Sequence, residues 1–288
     1  MRGRSALLRW YAPRRSAYPW RARPDPYRVL VSEVMLQQTQ AARVVPTFRR
    51  FLVQFPTVRA LAGASRAEVI RAWRGLGYNR RAAALSEAAR VIVQDHRARV
   101  PSDHEDLLRL PGVGPYTAAA VASIAYGKEL PAVDANVRRI VARVELGVEP
   151  HQAAPMRIQQ IAARWLDPTD PSSWNQAMMD LGREVCRPIP RCAVCPLKGG
   201  CRFRHAQRNS LPPPRRQTPF PGSFRQLRGR VLDLLRGAPA TLSALSKQTG
   251  EPPSRVAQAV KALDADGLVR CGPGALDGRL RGRVALPD

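Results

Sequence analysis

Apolar residues recur at three- and four-residue intervals from about residue 26 to residue 204, interrupted only by short Gly- and Pro-containing stretches. This spacing is typical of amphipathic helices, and strand-like alternation is scarce over the same stretch. The main part of the chain is therefore expected to be all-α. We predict helices at 27–41, 43–54, 66–74, 79–96, 115–126, 134–146, 154–166 and 173–185.

A Pro-rich stretch, SLPPPRRQTPFPGS, follows this pattern and cannot continue a helix. Beyond it, three helix-like segments and a Gly-rich tail resemble a winged helix-turn-helix, with Ser254 capping a recognition helix over Arg255–Asp264. A winged helix can contact either DNA or protein, and the sequence leaves both open. We expect a helical domain at 1–207, a linker at 208–225 and a small α+β winged-helix-like domain at 226–288.

The chain is strongly basic, with a formal net charge of +25. Lys and Arg side chains that neutralise phosphates release counterions, and this release drives binding to nucleic acid. However, Arg outnumbers Lys 43 to 4, a bias that a GC-rich genome would also produce. Charge therefore permits a nucleic-acid partner, and the motifs must decide.

The cysteine spacing indicates a metal site. Cys186, Cys192, Cys195 and Cys201 lie within sixteen residues, whereas Cys271 stands alone and is expected to be a small packed residue. No apolar run approaches the roughly 20 residues of a membrane helix, and the N-terminus lacks the apolar centre of a signal peptide. We therefore expect a cytoplasmic protein, in which clustered thiols bind iron–sulfur or zinc rather than form disulfides.

The stretch LPGVGPYTAAAVAS, Leu110–Ser123, places two glycines at i and i+2 between helical segments. Glycines allow a tight hairpin whose backbone N–H groups can point at a phosphate. Asp134 follows Tyr116 by eighteen residues, within GKELPAVDANVRRI. Alone, a carboxylate at a helix start is most often a cap. Together, the hairpin, the loop and the Asp resemble the helix-hairpin-helix glycosylase superfamily, which has the endonuclease III-like fold.

The resemblance extends over most of residues 18–204 and is to the adenine glycosylase (MutY-type) branch in particular. The matching stretches are YPWR (18–21), SEVMLQQTQ (32–40), FPTV (55–58), WRGLGY (73–78), LPGVGPYTA (110–118), VDANV (133–137) and NQAMMDLG (175–182).

Excision of adenine requires protonation of the leaving purine and stabilisation of the sugar cation that remains. The resemblance implies that Glu33 donates the proton and that an ionised Asp134 faces the cation. Tyr116 and Asn136 match the residues that orient these groups and the attacking water. Bifunctional members of the superfamily carry a lysine where this chain has Tyr116, and its four lysines lie outside the matching stretches. We therefore predict hydrolysis without an efficient lyase step.

The target base must leave the duplex, and the space it vacates must be filled. Gln38 matches the family's residue beside the extruded adenine, and Tyr78 matches the residue near the opposite base, with Leu76 alongside. The expected partner is double-stranded DNA that contains a mismatch or an oxidised guanine, bound by a monomer. Further DNA contacts are expected from Arg21, Gly112, Gly114 and Thr117.

The resemblance implies that the four clustered cysteines hold a 4Fe-4S cluster, which orders a basic loop against DNA. The spacing departs from the family's motif by one residue, because five rather than six residues separate Cys186 from Cys192. Zinc is the alternative metal.

Two departures from the adenine branch leave other functions open. Residues 226–288 are too short and too helical for the Nudix-like domain that usually checks for 8-oxoguanine. Ala135 stands where Gly is usual, as in the thymine/uracil mismatch glycosylases, but these lack the SEVMLQQTQ stretch that holds Glu33. We predict adenine excision opposite 8-oxoguanine or guanine, with a thymine/uracil glycosylase acting on G mismatches as the alternative. A catalytically idle DNA-binding regulator is a third possibility, against which the complete set of catalytic residue types argues.

Overall fold

The computed structural model describes residues 3–15, 18–22, 24–205 and 219–288. These residues are mostly helical, with a small antiparallel sheet near the C-terminus. None of the described helices combines the length and apolar character needed to cross a membrane. The elements are α1 (Arg4–Tyr11), α2 (Pro19–Ala22), α3 (Pro26–Leu36), α4 (Ala41–Gln54), α5 (Val58–Ala62), α6 (Arg66–Ala72), α7 (Arg80–Asp95), α8 (His104–Arg109), α9 (Pro115–Tyr126), α10 (Ala135–Val141), α11 (Pro155–Trp165), α12 (Pro171–Glu184), α13 (Arg202–His205), α14 (Phe224–Leu235), β1 (Ala240–Thr241), α15 (Leu242–Thr249), α16 (Pro253–Ala265), β2 (Arg270–Cys271) and β3 (Arg283–Ala285).

The chain divides into two compact units, each made of two segments distant in sequence. The first unit comprises Met1–Glu33 and Val100–Arg215, and the second comprises Val34–Arg99 and Arg216–Asp288. One boundary falls within α3, directly after Glu33. The three-part division expected from the sequence stays a prediction, and residues 206–218, which include most of the predicted linker, lie outside the described residues.

In the first unit, α12 packs against α1, α9 and α10. Its amphipathic pattern places Trp174, Met178 and Leu181 in the core, where they meet Val137 and Ile140 of α10. Helix α9 follows α8 across the glycine-containing hairpin and buries a run of alanines. Because these side chains are small, α9 and α12 can approach closely.

In the second unit, the C-terminal region (residues 219–288) contributes three helices and the sheet. Strand β3 lies between β1 and β2 and is antiparallel to both, with Val284 opposite Ala240 on one side and Cys271 on the other. This is the helical and stranded composition expected for the C-terminus. The core of this region also includes Ala67 and Ile70 of α6. The C-terminal region therefore completes a core that begins within residues 34–99.

The helix boundaries differ from the predicted ones at informative places. The helix predicted at 27–41 ends at Leu36, because Gln38 has a left-handed backbone with φ of 54°. The segment predicted at 134–146 is α10 followed by a π-helical turn over Ala142–Leu146. Helices α5 and α8 are absent from the prediction, because one or two turns are too short to give a periodic signal.

The cap predicted at Ser254 is wrong. Helix α16 begins at Pro253, and Pro252 occupies the N-cap position without a side-chain bond, so Ser254 lies in the first helical turn. Proline is favoured at the first helical position, because its φ is already helical and its missing N–H needs no partner there.

Candidate functional site

Glu33 is a buried carboxylic acid in the first unit. It lies on α3, a helix of mostly apolar residues, and is 4% exposed. Tyr116 Oη donates a hydrogen bond to Glu33 Oε2 at 2.9 Å. Burial raises the pKa of Glu33 to about 7, against the opposing effects of the Tyr116 hydrogen bond and the Arg21 charge, while the charge of Asp134 adds to the rise. A carboxyl group with this pKa still carries its proton in about half of the molecules at pH 7 and can donate it.

Tyr116 lies in the first turn of α9, directly after the hairpin. Its hydroxyl contacts both Glu33 and the sulfur of Met179, at 3.3 Å from Sδ. Burial and the charges of Glu33 and Asp134 raise the pKa of Tyr116 well above its usual value, so the phenol stays protonated. It can therefore act only through hydrogen bonds in the neutral pH range.

Asp134 is the N-cap of α10. Its Oδ1 accepts the Val137 N–H at 2.7 Å, and its Oδ2 accepts from Asn136 Nδ2 at 2.7 Å. Burial raises the pKa of Asp134, and the donors from Val137 and Asn136 oppose this rise. Asp134 thus accepts hydrogen bonds from Val137 and Asn136, whereas Glu33 accepts from Tyr116. Because these donors stabilise the ionised carboxylate, the ionised form is supported more strongly at Asp134 than at Glu33. Asp134 therefore caps α10, and the same carboxylate is the one predicted to face the sugar cation.

Asn136 is held from two sides. Arg139 Nη2 donates to Asn136 Oδ1 at 2.8 Å and to Gly182 O at 2.8 Å. A Cβ at Gly182 would lie 2.5 Å from Asn136 Cβ, so only glycine allows α12 to pack this closely against the start of α10. This glycine lies in the NQAMMDLG stretch, whose individual roles the sequence did not indicate.

Asn175, in the same stretch, fixes the segment that precedes Asp134. Its Oδ1 accepts the Ala132 N–H at 2.9 Å, and its Nδ2 donates to Leu130 O at 2.9 Å and to Ser123 Oγ at 2.7 Å. Because Asn175 is 2% exposed, these bonds are protected from water. Asn175 therefore fixes the backbone that leads to Asp134, the predicted catalytic carboxylate.

Arg21 does not have the exposure expected of a DNA-binding residue. Its two terminal nitrogens donate to both carboxylate oxygens of Asp180 at 2.7 and 2.9 Å, and the two side chains are 8% and 2% exposed. A guanidinium in a buried bidentate pair is committed to its partner. Arg21 instead acts on Glu33, whose pKa its charge lowers.

The hairpin between α8 and α9 contains Gly112 and Gly114. Gly112 has a φ of 76°, a region where glycine is favoured. Gly114 is the N-cap of α9, and a Cβ there would meet open space, so no contact within the described protein requires glycine. The surface at Gly114 is thus free for the close approach of an outside group, whereas Thr117 is buried at 2% exposure.

In the second unit, the predicted wedge residues Gln38 and Tyr78 have left-handed backbones, with φ of 54° and 44°. Both are exposed, Tyr78 by 48%, whereas Leu76 is buried. One guanidinium supports both turns. Arg81 Nη1 donates to Gln37 O at 2.6 Å, its Nη2 donates to Gly77 O at 3.2 Å, and its Nε donates to Tyr78 O at 3.3 Å. The sequence did not indicate this role for Arg81.

The four clustered cysteines are free thiols that line one cavity of the first unit, beside Arg143 and Phe203. Among the described residues, no three Cys, His, Asp or Glu side chains converge closely enough for a single metal ion. Burial raises the pKa of Cys186, and it raises that of Cys195 to about 11.

Arg143 anchors the segment that begins this loop. It is 2% exposed, pairs with Glu149 at 2.8 Å and donates to Arg187 O and Pro188 O at 2.7 and 3.0 Å. Its Nη1 lies 3.9 Å from Cys186 Sγ. A fixed positive charge therefore faces the cavity, as a negatively charged group of thiolates would require.

Residues 31–168 match the HhH-GPD superfamily of base excision DNA repair proteins. The chain is 43% identical to an adenine DNA glycosylase of Mycobacterium tuberculosis, in a match that covers 98% of this chain and 92% of the relative. The match with the human adenine DNA glycosylase is 41% identical and covers 70% of this chain but 39% of the relative. The mycobacterial similarity thus includes the C-terminal region.

Two solved structures share the fold. A thermostable thymine-DNA glycosylase aligns with a TM-score of 0.66 and 30% identity, covering 70% of this chain and 95% of that one. Endonuclease III in a non-covalent DNA complex aligns with a TM-score of 0.56 and 25% identity, covering 63% of this chain and 85% of that one.

Proposed function

Because the chain belongs to the adenine DNA glycosylases of the HhH-GPD superfamily, we propose that it hydrolyses the N-glycosyl bond of adenine mispaired with 8-oxoguanine or guanine. The observation that carries this proposal is the buried Glu33 carboxyl, which accepts a hydrogen bond from Tyr116 and has a pKa of about 7. Such a group is an acid at neutral pH, and a purine must be protonated before it can leave.

In the proposed reaction, Glu33 gives its proton to the extruded adenine while the bond between base and sugar breaks. The electron pair of that bond leaves with the base, and the sugar carbon becomes a cation. The ionised Asp134 stabilises this cation, and Asn136, held by Arg139, orients the attacking water. The water adds to the sugar carbon and releases a proton, so adenine and an abasic site are the products.

Duplex binding is assigned to two groups of residues. In the first unit, the hairpin that contains Gly112 and Gly114 contacts a phosphate, because a Cβ at Gly114 would meet open space and an outside group can approach the backbone there. In the second unit, the exposed Gln38 and Tyr78 fill the space beside the extruded adenine and near the opposite base. Their left-handed backbones direct these side chains outward from turns that Arg81 holds in place.

The test is single-turnover excision on duplexes that carry A opposite 8-oxoguanine, A opposite G, T opposite G and U opposite G. Alkali added after the reaction cleaves each abasic site and reveals which base was released. We expect adenine release, fastest opposite 8-oxoguanine. Thymine or uracil release without adenine release would instead favour the activity that the name of the thymine-DNA glycosylase structure suggests. Binding without any abasic product would indicate a regulator.

The four cysteines that line the cavity of the first unit are the candidate ligands of an iron–sulfur cluster, with zinc as the alternative metal. A 4Fe-4S cluster takes one thiolate at each iron and so suits cysteines spaced around a cavity that Arg143 faces. When bound, such a cluster would fix the basic loop at four points.

We predict about four iron atoms per chain in the purified protein. Cys201→Ser is expected to lower the iron content, because one of the four thiolates is lost. Cys271→Ser, outside the cavity, is the matched control and should retain the iron. Stoichiometric zinc in place of iron would contradict the prediction.

Tyr116→Lys is expected to introduce weak strand nicking and a borohydride-trapped DNA adduct. Position 116 lies within hydrogen-bond distance of Glu33, so an amine there would reach the reacting sugar and could form a Schiff base. Tyr116→Phe is the control without an amine. If no adduct can be trapped with the lysine variant, the residue type at position 116 does not by itself decide the reaction.

A further inference from the structure

The loop that carries Tyr78 adopts a conformation that needs support. Tyr78 is not a glycine, yet its φ is 44°, and left-handed conformations of such residues are strained and persist only where the surroundings fix them. The loop lies between α6 and α7, and two of its glycines, Gly75 and Gly77, also have positive φ. Because glycine has more accessible backbone conformations than other residues, this segment needs contacts from outside it to keep one conformation.

One side of this loop is fixed from within residues 34–99. Gly77 O accepts from Trp73 Nε1 at 3.2 Å and from Arg81 Nη2 at 3.2 Å. The Arg81 guanidinium also lies 5.5 Å from the Tyr78 ring. Arg81 Nε also donates to Tyr78 O at 3.3 Å, so the carbonyl groups of Gly77 and Tyr78 are both held.

The residue after Tyr78 is held by the C-terminal region. Arg236 Nη2 donates to Asn79 Oδ1 at 2.8 Å, and its Nε donates to Ile70 O at 3.1 Å. Its Nη1 pairs with Asp233, and its own carbonyl oxygen accepts from Arg71 Nε at 3.3 Å. The Arg236 side chain is 6% exposed, so its charge is removed from water and is compensated by these acceptors.

The side chain of Asn79 bonds to Arg236 and does not cap α7. It occupies the N-cap position of α7, but its side chain makes no capping bond. An Asn side chain at this position usually caps the helix, but here its amide oxygen accepts from Arg236 instead. The bond from Arg236 to Asn79 therefore takes the place of the side-chain cap that Asn79 would otherwise provide for α7.

The C-terminal region is poorly suited to reading DNA through α16. The outward face of this helix consists of Ser254, Gln258, Lys261 and Ala265 and so has one positive charge. Arg255 pairs with Glu251 at 2.8 Å and donates to Gly222 O at 2.9 Å. A recognition helix that binds the major groove usually presents several free cationic or amide side chains.

We propose that Arg236 is a positioning residue for recognition of the base opposite adenine: the C-terminal region acts through Asn79 to hold the Tyr78 loop. The inference rests on the proposed glycosylase function and extends it to a part of the chain outside the catalytic set. Arg236 acts through Asn79 and the loop, so it tunes discrimination between opposite bases rather than bond cleavage.

The test compares the single-turnover rate of adenine release opposite 8-oxoguanine with the rate opposite guanine. Asn79→Ala removes the acceptor on the loop while Arg236 keeps its bonds to Ile70 and Asp233. We expect the ratio of the two rates to fall by up to about tenfold, because the net contribution of one positioning hydrogen bond is of this order. Asn79→Asp keeps an acceptor for Arg236 and should retain the wild-type ratio.

Arg236→Ala removes the donor of the same bond and should also lower the ratio. Its matched control is Arg230→Ala, which removes an exposed arginine from α14, the helix whose C-cap is Arg236. A loss of folded protein would lower the reaction amplitude on both substrates and leave the ratio of rates unchanged. Adding Asn79→Ala to Arg236→Ala should cause no further fall in the ratio, because both changes break one link.

A wild-type ratio in Asn79→Ala would overturn the inference while leaving the glycosylase function intact. Failure of the wild-type protein to release adenine from either duplex would overturn the proposed function and the inference with it.

Discussion

Asp134→Asn is expected to slow adenine release opposite 8-oxoguanine by about 10³-fold, because a neutral amide cannot stabilise the developing sugar cation. Asparagine is as good a helix cap as aspartate, so the Val137 N–H keeps its acceptor and α10 keeps its start. Duplex binding should therefore persist. The rate is measured under single turnover, and binding is measured by fluorescence anisotropy.

Asp103→Asn is the matched control for this variant. Asp103 caps α8 by accepting from Glu105 and Asp106, so the same chemical change is made at another helix start of the first unit. Its excision rate should equal that of the wild type. Turnover by Asp134→Asn at a near wild-type rate would show that Asp134 is a structural cap alone.

Glu33→Gln is expected to lower the rate by about 10²- to 10⁴-fold, the usual contribution of a general acid. The amide can still accept the Tyr116 hydrogen bond but has no acidic proton to transfer. For the wild-type enzyme, kcat/KM should fall as the pH rises above about 7, the pKa of Glu33. A wild-type profile without this limb would remove Glu33 from the role of acid.

Tyr116→Phe provides a second arm of the same experiment. The Tyr116 hydrogen bond stabilises the ionised carboxylate and lowers the pKa of Glu33. Without that bond, Glu33 should retain its proton to a higher pH, and the alkaline limb should move upward. A limb at an unchanged pH would mean that another group controls it.

The difference in stability between Glu33→Gln and the wild type should depend on pH, because only the wild type carries a group that titrates at position 33. In the wild type the pKa of Glu33 is about 7 when folded, compared with 4.5 for a free carboxyl. The folded state therefore binds more protons between these values, and stability is lost as the pH rises through the folded pKa. At pH 8 the variant should exceed the wild type in free energy of unfolding by about 3 kcal/mol, and at pH 4.5 by little. Urea unfolding at both pH values tests this.

The sequence predicted much of the candidate site because local signals and the family resemblance coincide there. Glu33, Tyr116 and Asp134 lie in stretches that resemble the adenine glycosylases. The structure brings the Glu33 and Tyr116 side chains into contact. The capping role of Asp134 was also readable, because a carboxylate directly before a helical segment is the usual cap.

The supporting residues could not be predicted, because their roles depend on contacts between distant segments. Arginine is a residue type that often binds phosphate, so the sequence favoured a DNA contact for Arg21. The structure shows instead that both of its terminal nitrogens donate to Asp180, which lies 159 residues away in the sequence. In the sequence, Gly182 is only a residue that weakens a helix. The structure shows that a larger residue there would collide with Asn136. Ser254 misled the prediction because a preceding proline starts α16.

The interleaving of the second unit has a consequence during synthesis. Ile70 and Ala67 share a core with residues of the C-terminal region, and Arg71 bonds to Arg236, which follows it by 165 residues. Closing such a long loop is slow, and the apolar face of α6 is without its partners until the last segment leaves the ribosome. Nascent chains would expose this face to chaperones and to each other. A polypeptide that stopped before the C-terminal region would lack the Arg236 bond to Asn79, and its Tyr78 loop would have to form without that support.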